Sequence, residues 1–556
     1  MKADLTRNSF RYWKHFTRVL MQQGRVQLDA DWNEQAAILF HYLRSSAADI
    51  IGPFGRPAAN PGFVILPLNL VNPTTGDFAL SAGHFFVSGI LCENTPDPIF
   101  VFPQSPIDPA LKTLKVTAET LAAQGRFLKV GEVLEIFNSA NPLEFSFGVV
   151  AASEPGSRSL TLSFTAVPGW IDPSGNQPPC VRRALTYTKQ PDFPMAQSDL
   201  VAGATRTLIY IDVWERLVTF AEDDSIREVA LGGPDTAARA KLVYQVKSLR
   251  DFPFDANPVS TLQGKFQPHN RGYLRARVQP SVADTDPCII SPTSRYRGPE
   301  NQLYRVEIHT GSKDAANNPL KPTFKWSREN GSVVFPILSG GGTAVVTLET
   351  LGRDDRFGLA EGDWVEVVDD DYVLLNRAGT LLQVQSIDRS TMKVTLGGTP
   401  DGSVGKDPAK HPILRRWDQK QGDEQDGGLT FGSDNAASIV EGSGDSNWLD
   451  LEDGVQIQFQ QANMDKKEVA PQYRTGDYWL IPARTATGDV QWPTEVLTDV
   501  QGTSKTWIIA LPPDGINHYY APLGVINVDA NGNVDFTGTP VRMPDPFGPF
   551  EPPFFP

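Results

Sequence analysis

The chain has 556 residues, of which 40% are hydrophobic and 21% are charged, a composition typical of globular proteins. At about 150 residues per domain, this length predicts three or four domains. A formal charge of −15 argues against binding to nucleic-acid backbones or docking on anionic bilayers. The 47 glycines and 45 prolines favour many turns between short strands.

The cysteines and the hydrophobic segments exclude further classes. Cys92, Cys180 and Cys288 are widely spaced and form no CxxC pair, so neither a disulfide framework nor a zinc site is predicted. The opening residues MKADLTRNSFRYWKHFTRVL lack an uninterrupted apolar region, so we expect no Sec-type signal. No stretch approaches the ~18 apolar residues of a membrane-spanning helix, and no direct membrane insertion is expected.

The stretch LDADWNEQ, residues 28–35, begins like a calcium-binding loop. An EF-hand loop requires Gly at its sixth position and Glu at its twelfth, but Glu34 and Phe40 stand there. We therefore interpret the acidic residues as a capping box, with Asp31 as the N-cap and Glu34 as its reciprocal partner.

A long amphipathic helix follows this capping box. The apolar positions recur every three or four residues, and Gly52-Pro53 ends the pattern, so we expect a helix from Asp31 to Ile51 with one apolar face. The apolar positions are Leu28, Trp32, Ala36, Leu39, Leu43, Ala47 and Ile50. This face is predicted to contact either a partner subunit or the rest of this chain.

Short β-type segments alternate with turns over most of the remaining chain. GEVLEIF (131–137) and GDWVEVV (362–368) are each followed by an alternating hairpin pattern, which predicts two small β-barrel-like modules of similar build. Chance similarity between short strands is the alternative. Residues 228–252 and 110–125 are each expected to hold a helix. The predicted fold class is mainly β and multidomain: an N-terminal amphipathic helix, then several small β-barrel or sandwich-like modules, and a Pro/Phe-rich C-terminal tail.

The predicted domain organisation has six parts. They are an aromatic arm and helix (1–55), a β domain with a barrel-like module (56–190), a mixed β domain with a short helix (191–350), a barrel-like module (351–400), a β domain (401–543) and a Pro/Phe-rich tail (544–556). The tail, PDPFGPFEPPFFP, is too rich in proline for a sheet interior. Because exposed phenylalanines are unfavourable, we expect it to lie on a neighbouring subunit, and a site on its own domain is the alternative.

The sequence contains only weak candidates for catalytic and metal-binding patterns. The chain contains no GxxxxGK[ST], GxSxG or HExxH motif, and no cofactor or metal is predicted. Asp369-Asp370-Asp371 is interpreted as a solvated turn in preference to a metal site. Glu307 and His309 share one face of a strand, where a hydrogen-bonded pair is favoured over a general-acid pair. The aromatic clusters are expected to pack in cores, with sugar platforms as the alternative; they are Tyr478-Trp479, Trp492 and Tyr519-Tyr520.

Residues 16–35, FTRVLMQQGRVQLDADWNEQ, resemble the N-terminal signature of an uncharacterised bacterial protein family encoded beside phage-tail-like contractile injection systems. Four further stretches fit the same family: FKWSRENGSVV (324–334), GDWVEVVDDDYVLL (362–375), GDYWLIPART (476–485) and HYYAPLGVI (518–526). The resemblance implies a structural part of the injection particle: a baseplate component, a cage around the central spike, or a peripheral fibre-like piece. It supplies no catalytic residues.

The leading hypothesis is a non-enzymatic homo-oligomer that contacts baseplate, spike and sheath-proximal subunits. Assembly is expected in the cytoplasm, with the particle either released or anchored to a membrane. The candidate interface residues are Phe16, Trp32, Leu39, Leu43, Ile50, Phe547, Phe550, Phe554 and Phe555. One alternative is a receptor- or glycan-binding adhesin, which requires an exposed aromatic cluster. The other is a cell-wall glycan hydrolase, which requires two carboxyl groups about 5–10 Å apart.

Overall fold

A computed structural model of the chain is mainly β, as predicted, with small closed barrels and separate sheets. The structure describes residues 1–58, 61–70, 76–104, 112–123, 126–171, 178–194, 200, 207–250, 252, 258–280, 295–314, 318–354, 356–423, 427–464, 467–469, 471–498, 502 and 504–535.

The chain divides into two compact units that are each assembled from three separate segments. Unit 1 comprises Met1–His41, Trp214–Leu242 and Gly264–His518. Unit 2 comprises Tyr42–Val213, Val243–Gln263 and Tyr519–Pro556. Segments from distant positions in the chain therefore come together in each unit.

The helices are few and mostly short in the described part of the chain. They are α1 (Asp29–Ile51), α2 (Pro258–Phe266) and α3 (Asp370–Leu374). The predicted N-terminal helix is confirmed, but α1 begins at Asp29, so Asp31 lies in its first turn and is not the N-cap. The predicted end is correct: Gly52 adopts a φ of +95° and its N–H donates to the Ala48 carbonyl at 2.8 Å.

A closed six-stranded barrel dominates the first part of unit 2. The strands of this region are β1 (Phe54–Gly55), β2 (Ile65–Leu66), β3 (Ala79–Leu80), β4 (Gly83–Val87), β5 (Ile90–Asn94), β6 (Ile99–Pro103), β7 (Thr113–Ala118), β8 (Ala122–Ala123), β9 (Arg126–Phe127), β10 (Val133–Phe137), β11 (Phe145–Glu154), β12 (Ser159–Ser163), β13 (Cys180–Arg183) and β14 (Leu185–Thr186). The barrel order is β10-β11-β12-β7-β6-β13. Alternate residues such as Val116, Leu134 and Leu162 fill its interior.

A second closed barrel lies in unit 1. The next strands along the chain are β15 (Thr207–Val218), β16 (Arg239–Leu249), β17 (Tyr273–Val278), β18 (Gln302–Ile308), β19 (Thr323–Ser327), β20 (Val334–Ser339), β21 (Val345–Leu348), β22 (Trp364–Val368), β23 (Leu381–Asp388), β24 (Lys393–Leu396) and β25 (Ile413–Trp417). The barrel order is β20-β21-β24-β23-β22-β25. GEVLEIF forms β10 and GDWVEVV forms β22, so both predicted barrel modules are confirmed. The second barrel extends beyond 351–400 at both ends because β20, β21 and β25 complete it.

A five-stranded antiparallel sheet, ordered β26-β19-β18-β31-β32, forms the other main part of unit 1. The remaining strands are β26 (Ala437–Ser438), β27 (Leu449–Asp450), β28 (Val455–Gln460), β29 (Ala462–Met464), β30 (Lys467–Val469), β31 (Tyr478–Arg484), β32 (Asp489–Val490), β33 (Thr494–Thr498), β34 (Ser504–Ile508), β35 (Tyr519–Val528) and β36 (Val534–Asp535). One apolar core joins this sheet to β17-β28-β27, and it includes Trp326, Phe459 and Trp479.

Two helices expected from the sequence are absent from the described residues. Arg239–Leu249, inside the first expected helix, forms strand β16, and only a short 3-10 turn at Val229–Leu231 precedes it. Thr113–Ala118, inside the second, forms barrel strand β7. Pairing with neighbouring strands outweighs local helix propensity in both segments.

Candidate functional site

Helix α1 exposes most of its large apolar side chains, although its sequence is built to bury one face. Ile38 is only 1% exposed, but Trp32, Leu39, Leu43 and Ile50 are 69%, 54%, 66% and 67% exposed. At 100° per residue, their spacing of 7, 4 and 7 keeps these four side chains within about 40° of one another. We call these four residues the apolar stripe of α1. A globular helix ordinarily packs such a stripe against another element.

Residues 12–28, which we call the aromatic arm, precede the helix and expose further apolar side chains. The arm has one 3-10 turn, Tyr12–Lys14, and no other regular element. Its exposed large hydrophobic residues are Tyr12, Trp13, Phe16, Leu20, Met21, Val26 and Leu28. The Val19 backbone N–H donates to Gln35 Oε1 at 2.8 Å and ties the arm to α1. The arm therefore lies against the helix that carries the apolar stripe.

All the candidate interface residues within the described part of the chain are exposed. Phe16 is 53% exposed, and the other four are the members of the apolar stripe. The four tail residues lie outside the described residues: Phe547, Phe550, Phe554 and Phe555.

The acidic residues at the start of α1 hold the segment that precedes the arm. The Thr6 N–H and Oγ1 donate to the Asp29 carboxylate at 3.0 and 2.5 Å. Ser9 Oγ donates to Glu34 Oε2 at 2.7 Å. Glu34 thus binds a hydroxyl group 25 residues earlier in the chain, in place of the capping-box role predicted from its spacing.

Residues 1–6, which we call the leading segment, bind to a polar site in unit 1. We call this site the seat, and it includes Glu307, Asn330 and Arg484. Lys2 Nζ lies 2.9 Å from Glu307 Oε1 on β18. Asn330, which is fully buried, donates its side-chain amide to the carbonyls of Met1 and Ala3 at 2.9 and 2.7 Å. Burial lowers the pKa of Lys2 to about 8, against the opposing effect of the Glu307 carboxylate.

Beneath this seat, buried carboxylates and cations form a network between the five-stranded sheet and the second barrel. Lys325 Nζ on β19 lies 2.6 Å from Glu366 Oε1 on β22 and 3.6 Å from Glu307 Oε1. Arg305 Nε donates to Glu307 Oε2 at 2.6 Å. Trp417 Nε1 donates to Glu366 Oε2 at 2.9 Å. Each carboxylate is therefore both neutralised and hydrogen-bonded, as a buried charge requires.

The electrostatics of this network favour fixed ion pairs over acid–base chemistry. Burial alone would raise the pKa of Glu307, but the charges of Lys2, Arg305 and Lys325 outweigh it and lower the pKa. Burial is the main cause that lowers the pKa of His309 to about 4, and the Lys325 charge is the second. The imidazole is therefore neutral near pH 7. Glu307 is thus part of a structural network, with no raised carboxyl pKa that would suit a general acid at this position. It accepts from Arg305 and not from His309, so the hydrogen-bonded pair predicted from the sequence is wrong.

The acidic run after β22 caps a helix and is not the solvated turn predicted from the sequence, since Asp369 is only 4% exposed. Asp369 Oδ1 accepts the Tyr372 N–H at the start of α3, and Asp369 Oδ2 accepts the Gly405 N–H at 3.0 Å. Asp370 lies 2.8 Å from His411 Nδ1, and Asp371 lies 2.5 Å from Lys410 Nζ. Within the described residues, no group of three or more His, Cys, Asp or Glu side chains is placed to hold a metal ion.

The aromatic clusters considered as sugar platforms belong mainly to cores. Trp479 is fully buried, and its Nε1 donates to the Leu511 carbonyl at 2.9 Å. Tyr520 is 4% exposed. Trp492 packs partly buried against the core of the five-stranded sheet. The large exposed aromatic side chains of unit 1 instead lie mainly in the arm and in α1.

The comparisons with known proteins identify the family but not the activity. The described part of the chain contains no helix long and apolar enough to cross a membrane. No curated protein matches the chain, and no solved structure matches it. A family model described as a family of unknown function, DUF6519, matches residues 1–112, 175–257 and 259–535. Since these residues make up most of the sequence, the chain belongs to the DUF6519 family.

Proposed function

We propose that the protein is a non-enzymatic structural subunit of a phage-tail-like contractile injection particle. In this role it forms a homo-oligomer and contacts baseplate, spike or sheath-proximal subunits, as part of the baseplate or of a cage around the spike. Its subunits assemble in the cytoplasm, and the particle is then released or anchored to a membrane. The observation that supports the proposal is the exposed apolar stripe of α1.

The stripe favours a docking role because its exposure is energetically unfavourable. Complete burial of a leucine or isoleucine side chain stabilises a protein by about 1.5–3 kcal/mol. Leu43 and Ile50 are about two-thirds exposed, so covering each would contribute about 1–2 kcal/mol. Trp32 and Leu39 extend the same stripe. A partner surface that covers all four side chains would gain enough free energy to offset part of the cost of association.

A structural role is favoured over an enzymatic one by the ion pairs that hold several buried acidic residues, although burial raises the pKa of others, such as Asp514 and Glu452. Glu307 and Glu366 are held by cations that lower their pKa values. Burial raises the pKa of Asp477, but Arg271 and Arg474 hold its carboxylate at 2.8 and 3.0 Å. These arrangements suit rigid modules of an assembled particle.

The oligomeric state of the purified protein tests the proposal. We would measure the solution mass of the full chain beside a variant in which Leu39, Leu43 and Ile50 are replaced by Ser. The expected result is an oligomer for the natural chain and a monomer for the variant. Asn33→Ala and Asp49→Ala form a matched control, because both residues are exposed polar positions of α1 outside the stripe. A natural chain that remains monomeric at high concentration would contradict the proposal.

The particle assignment needs a separate experiment. Contractile particles purified from cells that produce the protein should contain it, and the Ser variant of the stripe should be absent from them. A variant lacking residues 544–556 tests whether the Pro/Phe-rich tail also contributes. If neither the natural chain nor any variant ever copurifies with particles, the particle assignment fails even where the protein is oligomeric.

A further inference from the structure

We propose that the seat for the leading segment is a docking site for residues 1–6 of a second copy of this chain, so that neighbouring copies exchange their leading segments. The inference rests on the proposed homo-oligomer and specifies which contact joins its subunits. It arises from three observations: the construction of the seat, the exposure of the aromatic arm, and the distribution of charge along the chain.

The seat is built so that a peptide must occupy it. Asn330 has a left-handed backbone (φ 54°) and is completely buried, and its amide donates to two carbonyls of the leading segment. Arg484 Nη2 donates to a third carbonyl, that of Thr6, at 2.8 Å. Lys2 supplies one of the three cations around Glu307. Removal of the segment would leave a buried amide donor without its acceptors, which is unfavourable. The segment must therefore come from the same chain or from a neighbour.

The arm that connects the seat to α1 is poorly covered by its own chain. Tyr12, Trp13 and Phe16 are 63%, 58% and 53% exposed, and Val26 is 83% exposed. In the exchanged form the Val19 N–H would donate to Gln35 of the second copy, and residues 20–28, which could span up to about 30 Å when extended, would link the two copies. An arm that crosses between two copies would have its apolar side chains covered on both sides. Exchange of an identical element re-forms every contact of the closed form, so it loses little free energy.

The charge distribution suits a second copy as the partner. Residues 5–28 contain five basic residues and neither Asp nor Glu; they are Arg7, Arg11, Lys14, Arg18 and Arg25. The rest of the chain therefore has 45 basic residues against 65 acidic ones. A basic arm on an otherwise acidic protein is attracted to the surface of another copy, and this attraction favours correct encounters. The same charge pattern disfavours side-by-side contact between the acidic surfaces themselves.

Engineered disulfides distinguish exchange from an intrachain arm. Thr6 and Asp29 are both exposed and their side chains are in contact, so cysteines at these two positions can be oxidised together. We would coexpress one copy carrying Thr6→Cys with a second, differently sized copy carrying Asp29→Cys. Exchange predicts a covalent heterodimer as the main oxidised species. Each single variant expressed alone controls for the natural cysteines, of which Cys92 and Cys180 are buried.

Two further variants show whether the seat itself directs the exchange. Adding Lys2→Ala to the Thr6→Cys copy removes the cation beside Glu307 and should lower the heterodimer yield several-fold. A chain with both Thr6→Cys and Asp29→Cys should form dimers or ladders. The exchange is refuted if the double variant forms its disulfide within one chain and the mixed pair forms no dimer, while the natural protein is oligomeric. A monomeric natural protein would instead refute the proposed function as well.

Discussion

Neighbouring residues of α1 provide a sensitive test of the docking surface. Ile38 is 1% exposed and Leu39 is 54% exposed, although the two are adjacent in the chain and similar in volume. We predict that Ile38→Ala lowers the free energy of unfolding by about 2–5 kcal/mol, as for other buried aliphatic residues. Leu39→Ala removes a side chain that is half in water, and so it should lower the monomer's stability by about 1 kcal/mol or less. Alanine favours helix at both positions.

Association should respond in the opposite order. If a partner subunit covers the exposed half of Leu39, its loss should weaken association by about 1 kcal/mol per contact, or about fivefold in Kd. Urea unfolding at dilutions where the protein is monomeric would measure the first effect, and sedimentation over a range of concentrations would measure the second. The docking role of Leu39 is refuted if Leu39→Ala destabilises the monomer as strongly as Ile38→Ala and leaves the oligomer unchanged.

Three further predictions concern the effect of Glu366 on stability, its pH dependence, and the turn at Gly89. Glu366→Gln should destabilise unit 1 by about 3–5 kcal/mol in urea unfolding, because Lys325 would stay buried with only the more distant carboxylate of Glu307, at 3.6 Å, as its counter-charge. An unchanged unfolding midpoint would show that the Glu366–Lys325 pair is dispensable. Burial alone would raise the pKa of Glu366, but Lys325 and its other cationic neighbours lower it to about 2. The resulting stabilisation should be complete above pH ~4.5 and be lost as the pH falls through ~2, and Glu366→Gln should flatten this dependence. Gly89→Ala should destabilise the β4–β5 turn, because the φ of Gly89 is +76° and an added Cβ would lie 1.9 Å from the Arg44 carbonyl oxygen. Faster amide hydrogen exchange in this turn would show the effect. Gly156→Ala is the control, because a Cβ at Gly156 meets open space.

Exposure also changes what is expected of Trp32. A buried tryptophan would make Trp32→Ala lower the stability by about 3–5 kcal/mol. Trp32 is 69% exposed in the structure, so the same substitution should affect association more than folding. The apolar pattern of α1 indicated which side chains share a face, but only the structure showed that the chain itself leaves this face uncovered.

Local patterns predicted the elements whose partners are close in sequence. The barrel strands β10 and β22 were predicted correctly because each alternates and continues into a hairpin, which a short window of residues contains. The end of α1 at Gly52 was likewise predicted from the local sequence. The start of α1 was misplaced by two residues, because Asp29 is held by Thr6 and no local pattern records that contact.

The sequence by itself determined the fold class, the paired barrel modules and the apolar stripe, because hydrophobic periodicity and turn residues act over a few neighbouring positions. Only the tertiary structure decided that Arg239–Leu249 is a strand, that Glu366 and Lys325 meet, and that Lys2 lies against Glu307. These contacts join residues tens to hundreds of positions apart. Their energies depend on which side chains share a low-dielectric interior, and composition and spacing do not specify that arrangement.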